Sequence, residues 1–278
     1  MTEFKSFFKR VAGNEGILFH YNTRLDTYGK GCSHNCAYCY ARSLLDFRKM
    51  WTPESPAVAD FRKIEQKVRK ELRKGDVVRL GGMTDCLMPI ERKEGVTRRT
   101  IELLNDCGVH YLIVTKSDLI GDYAPILDKD LAHIQVSITS TDNTISRKVE
   151  PGAPSPYRRI AAVEKLYFGG FDVSVRLSPF IPQFVDLSII NSIQCDKILV
   201  EFLRVNGWIR KWLGELVDFS PYYIKSGGYN HLPLKAKVEL MKQIDFKQKS
   251  VCEDVPAHWH FWRYYFNANP DDCCNLRK

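Results

Sequence analysis

The chain has 278 residues, of which 44% are hydrophobic, and a formal net charge of +8 at pH 7. The length and composition allow a sizeable core in one large domain or two small ones, and no run of about 18 apolar residues predicts a membrane span. The basic charge favours a polyanionic partner such as nucleic acid, although evenly spread lysines give many metabolic enzymes a similar charge.

The start of the chain and its cysteine content bear on the compartment. The first five residues lack the apolar core of a signal peptide, so we expect a cytoplasmic protein. In that compartment the nine cysteines should be reduced, which favours metal ligation over disulfide formation.

The predicted elements begin with a short lead-in to a cysteine-rich loop. A helix is expected at Thr2–Val11 and an extended segment at Ile17–Tyr21. After the loop, a helix at Ser43–Trp51 is halted by a Thr-Pro pair, and a basic amphipathic helix at 59–74 ends at Gly75, a typical helix stop.

From residue 76 onward, apolar strands and helices alternate. This alternation predicts an α/β fold in which helices cover a parallel sheet, with about six β/α units if a strand precedes the cysteine loop. In barrels of this kind, function lies at the carboxyl ends of the strands. The predicted strands cover 76–82, 109–115, 133–139, 171–177 and 197–203, and the predicted helices cover 96–107, 122–130, 156–168, 187–193 and 207–217.

The cysteine-rich loop contains Cys32, Cys36 and Cys39 in the spacing C-x3-C-x2-C. Cysteine thiolates are the usual ligands of iron–sulfur clusters, and three on one loop can hold three irons of a [4Fe–4S] cube. The fourth iron would remain open to a small molecule. A structural zinc site needs four ligands, but His34 is the only other ligand type in the loop and no C-x2-C or H-x3-H partner lies nearby.

This loop, with Gly31 and Tyr38 beside the cysteines, closely resembles the signature of the radical S-adenosylmethionine (SAM) enzymes. The resemblance implies a partial (β/α)6 TIM-like barrel and a [4Fe–4S] cluster on the three cysteines. It also implies SAM bound to the open iron, with Tyr38 near its adenine, and a reductant such as flavodoxin or ferredoxin. Reductive cleavage of SAM would give methionine and a 5′-deoxyadenosyl radical that abstracts hydrogen from substrate.

Four further segments resemble one branch of this superfamily, the spore photoproduct lyase-like proteins. They are 82–91, 115–117, 137–141 and 150–159, in order along the chain. In the true photolesion lyases, a cysteine two residues ahead of the Ser/Thr-Asp pair returns a hydrogen atom to the product radical, whereas this chain has Gly82 there. The repair reaction is therefore not carried over, although Cys86 can supply a thiol from the other side of the pair.

Polar residues at the predicted strand ends are candidates for binding SAM. Gly81 and Gly82 let the backbone approach a ligand closely. Thr84 and Asp85 can accept hydrogen bonds from the SAM ammonium, and Lys116 can pair with the SAM carboxylate. The other candidates are Thr115 beside Lys116, Ser117, Ser137 and Thr139 for ribose or carboxylate oxygens, and Arg176 for SAM or substrate. The alternative role for this set is helix capping and loop packing, and Glu150-Pro151 is expected to shape a turn.

Residues 218–278 lie outside the resemblance, and we expect them to form an α/β cap on a barrel of residues 1–217. They include Cys252, Cys273 and Cys274 together with many aromatic residues. A second metal site is one interpretation, but adjacent cysteines are awkward joint ligands and buried free cysteine is common in packed cores.

The resemblance and the charge together predict hydrogen abstraction from a nucleobase, such as a pyrimidine in DNA or a nucleotide, in a modification, rearrangement or repair reaction. A base within a duplex would have to be flipped out to reach a buried site. A peptide or a small metabolite is the alternative substrate, and activation of a partner protein is a further option. The alternative class is an iron–sulfur or zinc protein that binds nucleic acid without SAM chemistry, in which Asp85 and Lys116 would be replaceable.

Overall fold

The computed structural model describes residues 3–4, 7–10, 21 and 23–276 of the chain. Its strands are β1 (Glu3–Phe4), β2 (Phe7–Arg10), β3 (Thr23–Asp26), β4 (Tyr28–Gly29), β5 (Ala57–Ala59), β6 (Val77–Leu80), β7 (His110–Thr115), β8 (Ala132–Ser137), β9 (Asp172–Phe180), β10 (Lys197–Phe202), β11 (Ile224–Ser226), β12 (Tyr229–His231) and β13 (Gln248–Cys252).

Eleven α-helices lie within these described residues. They are α1 (Tyr40–Phe47), α2 (Phe61–Glu71), α3 (Glu91–Glu94), α4 (Val96–Asp106), α5 (Ile120–Tyr123), α6 (Asn143–Val149), α7 (Pro156–Phe168), α8 (Leu187–Asn191), α9 (Gly207–Leu213), α10 (Leu234–Lys242) and α11 (Pro256–Tyr265). No helix in the described part of the chain combines the length and the apolar composition needed to cross a bilayer.

One mostly parallel sheet organises the fold. Its strand order is β13-β10-β9-β8-β7-β6-β3-β2, and all neighbours are parallel except β2, which pairs antiparallel with β3 at one edge. The two edge strands do not pair with each other in the described structure, so the sheet stays open. The predicted α/β fold with an incomplete barrel is therefore confirmed.

The strands of this sheet are apolar because both faces are covered. In β8 all six residues are buried, and β7 and β10 show nearly continuous burial. Because β6 to β10 are mutually parallel, their carboxyl ends meet at one edge of the sheet. The residues that follow these strands are therefore brought together.

The boundaries of α7 agree with the prediction to the residue, since strong local signals mark both ends. Ser155 accepts a hydrogen bond from the backbone N–H of Arg158, and Pro156 occupies the first helical position, where its missing N–H costs nothing. The helix ends at a glycine pair, of which Gly170 has a φ of 75°.

The prediction of a helix at Thr2–Val11 is wrong. The described residues there form β1 and β2, and β2 pairs with β3 in the register Phe7 to Asp26. Pairing with a distant strand overrides local helix propensity at this position. Of the extended segment predicted at Ile17–Tyr21, only Tyr21 lies within the described residues.

Three predicted helices differ in extent. The helix after the cysteine loop already begins at Tyr40, because the Cys39 sulfur accepts the backbone N–H of Arg42 at 3.4 Å and caps it. The helix expected at 122–130 is a short α5 followed by a 3-10 turn at Ala124–Ile126, with a proline inside the turn. The helix expected at 207–217 stops at Leu213, and a 3-10 turn at Gly214–Leu216 follows.

The C-terminal segment contributes to the sheet itself. β13 pairs parallel with β10, placing Cys252 opposite Glu201. The Cys274 carbonyl then accepts a hydrogen bond from Gln135 of β8 at 3.3 Å, and the Cys273 carbonyl accepts one from Ser250 at 2.7 Å. The end of the described chain therefore packs against the inner strands.

Candidate functional site

The carboxyl ends of β6 to β10 and the cysteine loop surround one cavity. Its empty volume is about 930 Å³, including the open mouth. The predicted site residues that line it are Cys32, Cys36, Tyr38, Cys39, Gly81, Gly82, Thr84, Asp85, Thr115, Lys116, Ser137 and Arg176. Most of the residues predicted from separate segments therefore do share one site.

The cysteine loop is held in place by the turn that follows α6. Val149 accepts the backbone N–H of Ala37 at 2.9 Å, and the Gly152 N–H donates to the His34 carbonyl at 3.3 Å. An added Cβ at Gly152 would lie 1.8 Å from the Ser33 carbonyl oxygen, so only glycine fits this contact. The turn therefore fixes the backbone of the loop.

The three loop cysteines are free thiols that line the cavity. Burial raises the pKa of all three, that of Cys32 to about 12. Backbone hydrogen bonds from Asp85 and His34 to Cys32 oppose this effect, because they favour the thiolate. Metal binding by these thiols therefore has to release their protons.

The donor set indicates which kind of metal group the loop can hold. A [4Fe–4S] cube binds each thiolate to a different iron, so three cysteines on one loop can hold three of its irons. The three thiols that line the cavity therefore fit the cube.

Asp85 joins the cysteine loop to the end of β7. Its Oδ1 accepts from Thr115 Oγ1 at 2.7 Å, its Oδ2 accepts from the Lys116 backbone N–H at 2.6 Å, and His34 Nε2 lies 3.2 Å from Oδ2. Burial raises the pKa of Asp85, but His34 and the hydrogen bonds outweigh that effect, so the pKa lies below its ordinary value. The carboxylate is thus ionised and fixed by protein groups on both oxygens.

Lys116 places a partly buried amine beside the cysteine loop. Its Nζ donates to the Ser178 carbonyl at 3.3 Å, lies 3.9 Å from Glu150 Oε1 and lies 5.4 Å from the centre of the Tyr38 ring. Burial lowers its pKa from the ordinary lysine value. An anionic ligand group in the cavity would be a favourable partner for this amine.

Glu150 lies outside the cavity lining and links Tyr38 and Lys116 to Arg159. The fully buried carboxylate accepts hydrogen bonds from Tyr38 Oη and Arg159 Nη2, and Ser146 Oγ lies 3.4 Å from it. Arg159 also donates to the Ser137 carbonyl at 3.0 Å. From the sequence, Glu150 was expected only to shape a turn. Its contacts arise because the chain after this turn brings Arg159 of α7 next to Ser146 and Glu150, and no sequence periodicity signals that approach.

Charged residues at the carboxyl ends of β9 and β10 also line the cavity. Glu201 accepts from Arg176 Nη2 at 2.7 Å and from Ser178 Oγ at 2.8 Å, and Arg204 Nη2 lies 3.4 Å from its other oxygen. Burial raises the pKa of Glu201, but the two arginines lower it by a larger amount, so the pKa falls to about 2. Glu201 and Arg204 were not among the predicted site residues, although they lie at the carboxyl end of the strand predicted at 197–203.

Tyr40 adds an aromatic ring to the cavity lining. Its hydroxyl donates to the Gly82 carbonyl at 2.9 Å, and the Arg204 guanidinium lies 5.1 Å from its ring centre. At Gly82 an added Cβ would lie 2.9 Å from Arg24 Cδ, so a side chain there would displace Arg24.

Three predicted residues lie outside the cavity lining. Cys86 is 1% exposed and belongs to the core, and burial raises its pKa well above the ordinary value. Ser117 Oγ accepts the Leu119 N–H at 3.3 Å, which is a loop contact. Thr139 Oγ1 donates to the Ser178 carbonyl at 3.1 Å and lies 3.2 Å from Tyr38 Oη, so it supports the wall from behind.

A family model described as the radical SAM superfamily matches residues 27–194, more than half of the chain. The chain belongs to the radical SAM superfamily. The cofactors expected from the sequence, a [4Fe–4S] cluster and SAM, are those that this family uses.

Relatives of this chain occur in archaea and bacteria. An uncharacterized protein of Methanocaldococcus jannaschii is 28% identical over 245 residues, which cover 84% of this chain and 80% of the relative. An uncharacterized protein of Mycobacterium tuberculosis is 28% identical over 193 residues, covering 66% of this chain and 56% of the relative. The chain thus spans about half the length of the mycobacterial relatives it matches.

Solved structures of spore photoproduct lyase share the fold. The lyase complexed with dinucleoside spore photoproduct superimposes with a TM-score of 0.63 at 12% identity, over 96% of this chain and 80% of the lyase. A mutant lyase with bound AdoMet and the same dinucleoside gives a TM-score of 0.60 at 14% identity, over 85% and 74%. At these identities the similarity shows the fold, and it confirms the partial barrel of radical SAM type.

Proposed function

We propose that this radical SAM enzyme abstracts a hydrogen atom from a nucleobase-type substrate, such as a pyrimidine in DNA or a nucleotide. The observation that carries the proposal is one cavity that two sets of residues line together. The first set is the cysteine loop with Gly81, Gly82 and Lys116, and the second is Tyr40, Glu201 and Arg204. The first set suits the cofactors, and the second offers an aromatic ring and a fixed carboxylate.

In the first set, Cys32, Cys36 and Cys39 would hold the cluster. The Lys116 amine would pair with the SAM carboxylate, and Gly81 and Gly82 would leave room for the backbone to approach the ligand. With both cofactors bound, their chemistry supplies reductive cleavage of SAM and abstraction of a substrate hydrogen. The part of the protein is to orient these groups and exclude water from them.

In the second set, the Tyr40 ring can stack on a base, a contact that any nucleobase can make. Glu201, ionised at neutral pH, can accept an N–H from the edge of a pyrimidine. Support also comes from the net charge of +8 and from the similar fold of a lyase that was solved with a dinucleoside. These observations favour a base over a peptide or a small metabolite.

The positions of the thiols bear on the proposed fate of the substrate radical. Gly82 takes the position where photolesion lyases carry a hydrogen-donating cysteine, and Cys86 lies in the core outside the cavity lining. We therefore favour modification or rearrangement of the base over the repair reaction. We also propose that a flavodoxin or ferredoxin supplies the electron in the cytoplasm.

Deuterium transfer tests the substrate class. The anaerobically reconstituted protein would be reduced with dithionite in the presence of SAM and a deuterated nucleotide, oligonucleotide, peptide mixture or metabolite mixture. We expect deuterium in 5′-deoxyadenosine from a nucleotide or oligonucleotide, and much less with Glu201→Gln. Transfer from peptides or metabolites alone would contradict the proposal.

A further inference from the structure

We infer that α1 and α9 form a docking surface for a single-stranded polynucleotide, which delivers one base to the cavity. The inference rests on the proposed function, because it names the form in which the base is presented. The α1–α9 surface is defined here by Arg42 and Leu44 of α1 and by Trp208, Lys211 and Trp212 of α9.

Two tryptophan rings form the centre of the α1–α9 surface. Trp208 and Trp212 are four residues apart on one helix face, and their ring centres are 5.6 Å apart. Trp208 is 39% exposed, although it is among the largest apolar side chains of the protein. Trp212 beside it is half-buried. An exposed indole with a second indole at its side can stack on unpaired bases.

The two helices are joined by a cation–aromatic contact. The Arg42 guanidinium lies 4.2 Å from the Trp212 ring centre, and α1 packs against α9. Leu44 of α1 is 42% exposed on the same helix. Arginine stacked on an aromatic ring is itself a planar surface that holds a positive charge near a bound base.

The α1–α9 surface is continuous with the cavity. Tyr40 and Ala41 at the start of α1 line the cavity, and so does Ile209, which lies directly after Trp208. A strand stacked on the tryptophans would therefore pass the cavity mouth. One base turned out of the stack would reach the Tyr40 ring.

The local charge suits a polyanion. The seven residues of α9 include exposed Arg210 and Lys211 and no acidic residue. In α1 and the turn after it, Arg42, Arg48 and Lys49 outnumber Asp46. Phosphates would be attracted to these side chains, and the attraction should weaken with salt.

A single strand is the occupant that this chemistry favours over a duplex. Paired bases hide their faces within the stack, so rings on a protein surface cannot reach them. Exposed aromatic residues also occur on α11, where Tyr264 and Tyr265 are 56% and 75% exposed, but no residue of α11 lines the cavity. The α11 tyrosines therefore provide a matched control.

Binding is measured with the reconstituted protein without reductant, by anisotropy of a labelled 12-nucleotide single strand and of the same sequence as a duplex. We expect at least tenfold tighter binding of the single strand. Trp208→Ala and Arg42→Gln should each weaken that binding several-fold, and Lys211→Gln should flatten its salt dependence. A Tyr264→Ala/Tyr265→Ala variant should bind like the wild type.

Several outcomes would overturn the inference. These are equal binding of strand and duplex, unchanged single-strand binding by Trp208→Ala and Arg42→Gln, or loss of a dimer with Trp208→Ala while nucleic-acid binding persists. In the last case the surface is an interface between copies of the chain. If single strands bind as expected but transfer no deuterium, the proposed function fails and the docking surface stands.

Discussion

Glu150 and Arg159 form a fully buried ion pair that connects the cysteine loop with α7. Removing one charge of such a pair leaves the other uncompensated in a low-dielectric interior. Tyr38 Oη would also lose its charged acceptor, so the loop should become less well ordered.

Glu150→Gln should therefore reduce the free energy of unfolding by about 3 kcal/mol or more, measured by urea denaturation. The matched control is Glu65→Gln, which breaks the exposed pair with Arg69 on α2. That change should cost under about 1 kcal/mol. Equal effects of the two substitutions would contradict the role assigned to Glu150.

Glu201 gives a pH-dependent prediction. Its pKa is lowered from the ordinary 4.5 to about 2, chiefly by Arg176 and Arg204 acting against burial. A carboxylate with a depressed pKa in the folded state contributes stability above its ordinary pKa, and this contribution is lost as the pH falls toward the folded pKa.

The wild type should thus lose stability relative to Glu201→Gln between pH 4.5 and pH 2, by at most about 3 kcal/mol. Denaturant unfolding of both proteins at stepped pH measures this difference. A difference that does not change with pH across that window would show that the Glu201 carboxylate is not stabilised by the two arginines.

Site residues were predictable where they follow a strand. Lys116 comes directly after β7 and Asp85 lies in the loop after β6, and parallel strands bring such positions to one edge. Glu201 near the end of β10 and Arg204 just after it lie at the same edge, so the signal was present in the sequence. The pairing of Glu150 with Arg159 was not predictable, because it depends on the path of the turn between α6 and α7.

The turn after α6 is a part of the site that a single methyl group should disrupt. An added Cβ at Gly152 would lie 1.8 Å from the backbone of Ser33, and neither backbone can yield without moving the cysteine loop. Gly152→Ala should therefore bind much less iron and sulfide per chain after reconstitution, while its far-UV circular dichroism remains close to wild type.

Gly207→Ala is the matched control, since nothing lies within 4 Å of an added Cβ at that position. It should retain the iron content of the wild type. Full iron incorporation by Gly152→Ala would mean that the turn does not fix the loop.

Local signals decided which helices and strands were predicted well. α7 has a capping serine, an N-terminal proline and a terminal glycine pair, so its range was predictable. The residues of β2 were predicted to be helical because their strand conformation depends on β3, which a local pattern cannot show.

The whole molecule shows why the fold class was easier to predict than its edges. Alternating apolar strands and helices predict a parallel sheet, but they do not state which later segment completes it. β13 follows β10 by more than forty residues, beyond the β11–β12 hairpin and α10, and still becomes its neighbour. The cysteine spacing was the most informative local signal, since three thiols on one short loop lie close together whatever the rest of the fold.

The central claim is that this cavity cleaves SAM at a cluster held by the cysteine loop. The direct measurement is anaerobic reconstitution with iron and sulfide, reduction with dithionite in the presence of SAM, and assay of 5′-deoxyadenosine. We predict about four irons and four sulfides per chain, with 5′-deoxyadenosine formed by the wild type and by Cys107→Ala but not by Cys36→Ala. A folded four-iron protein that never cleaves SAM, even with nucleotides and oligonucleotides present, would contradict the account.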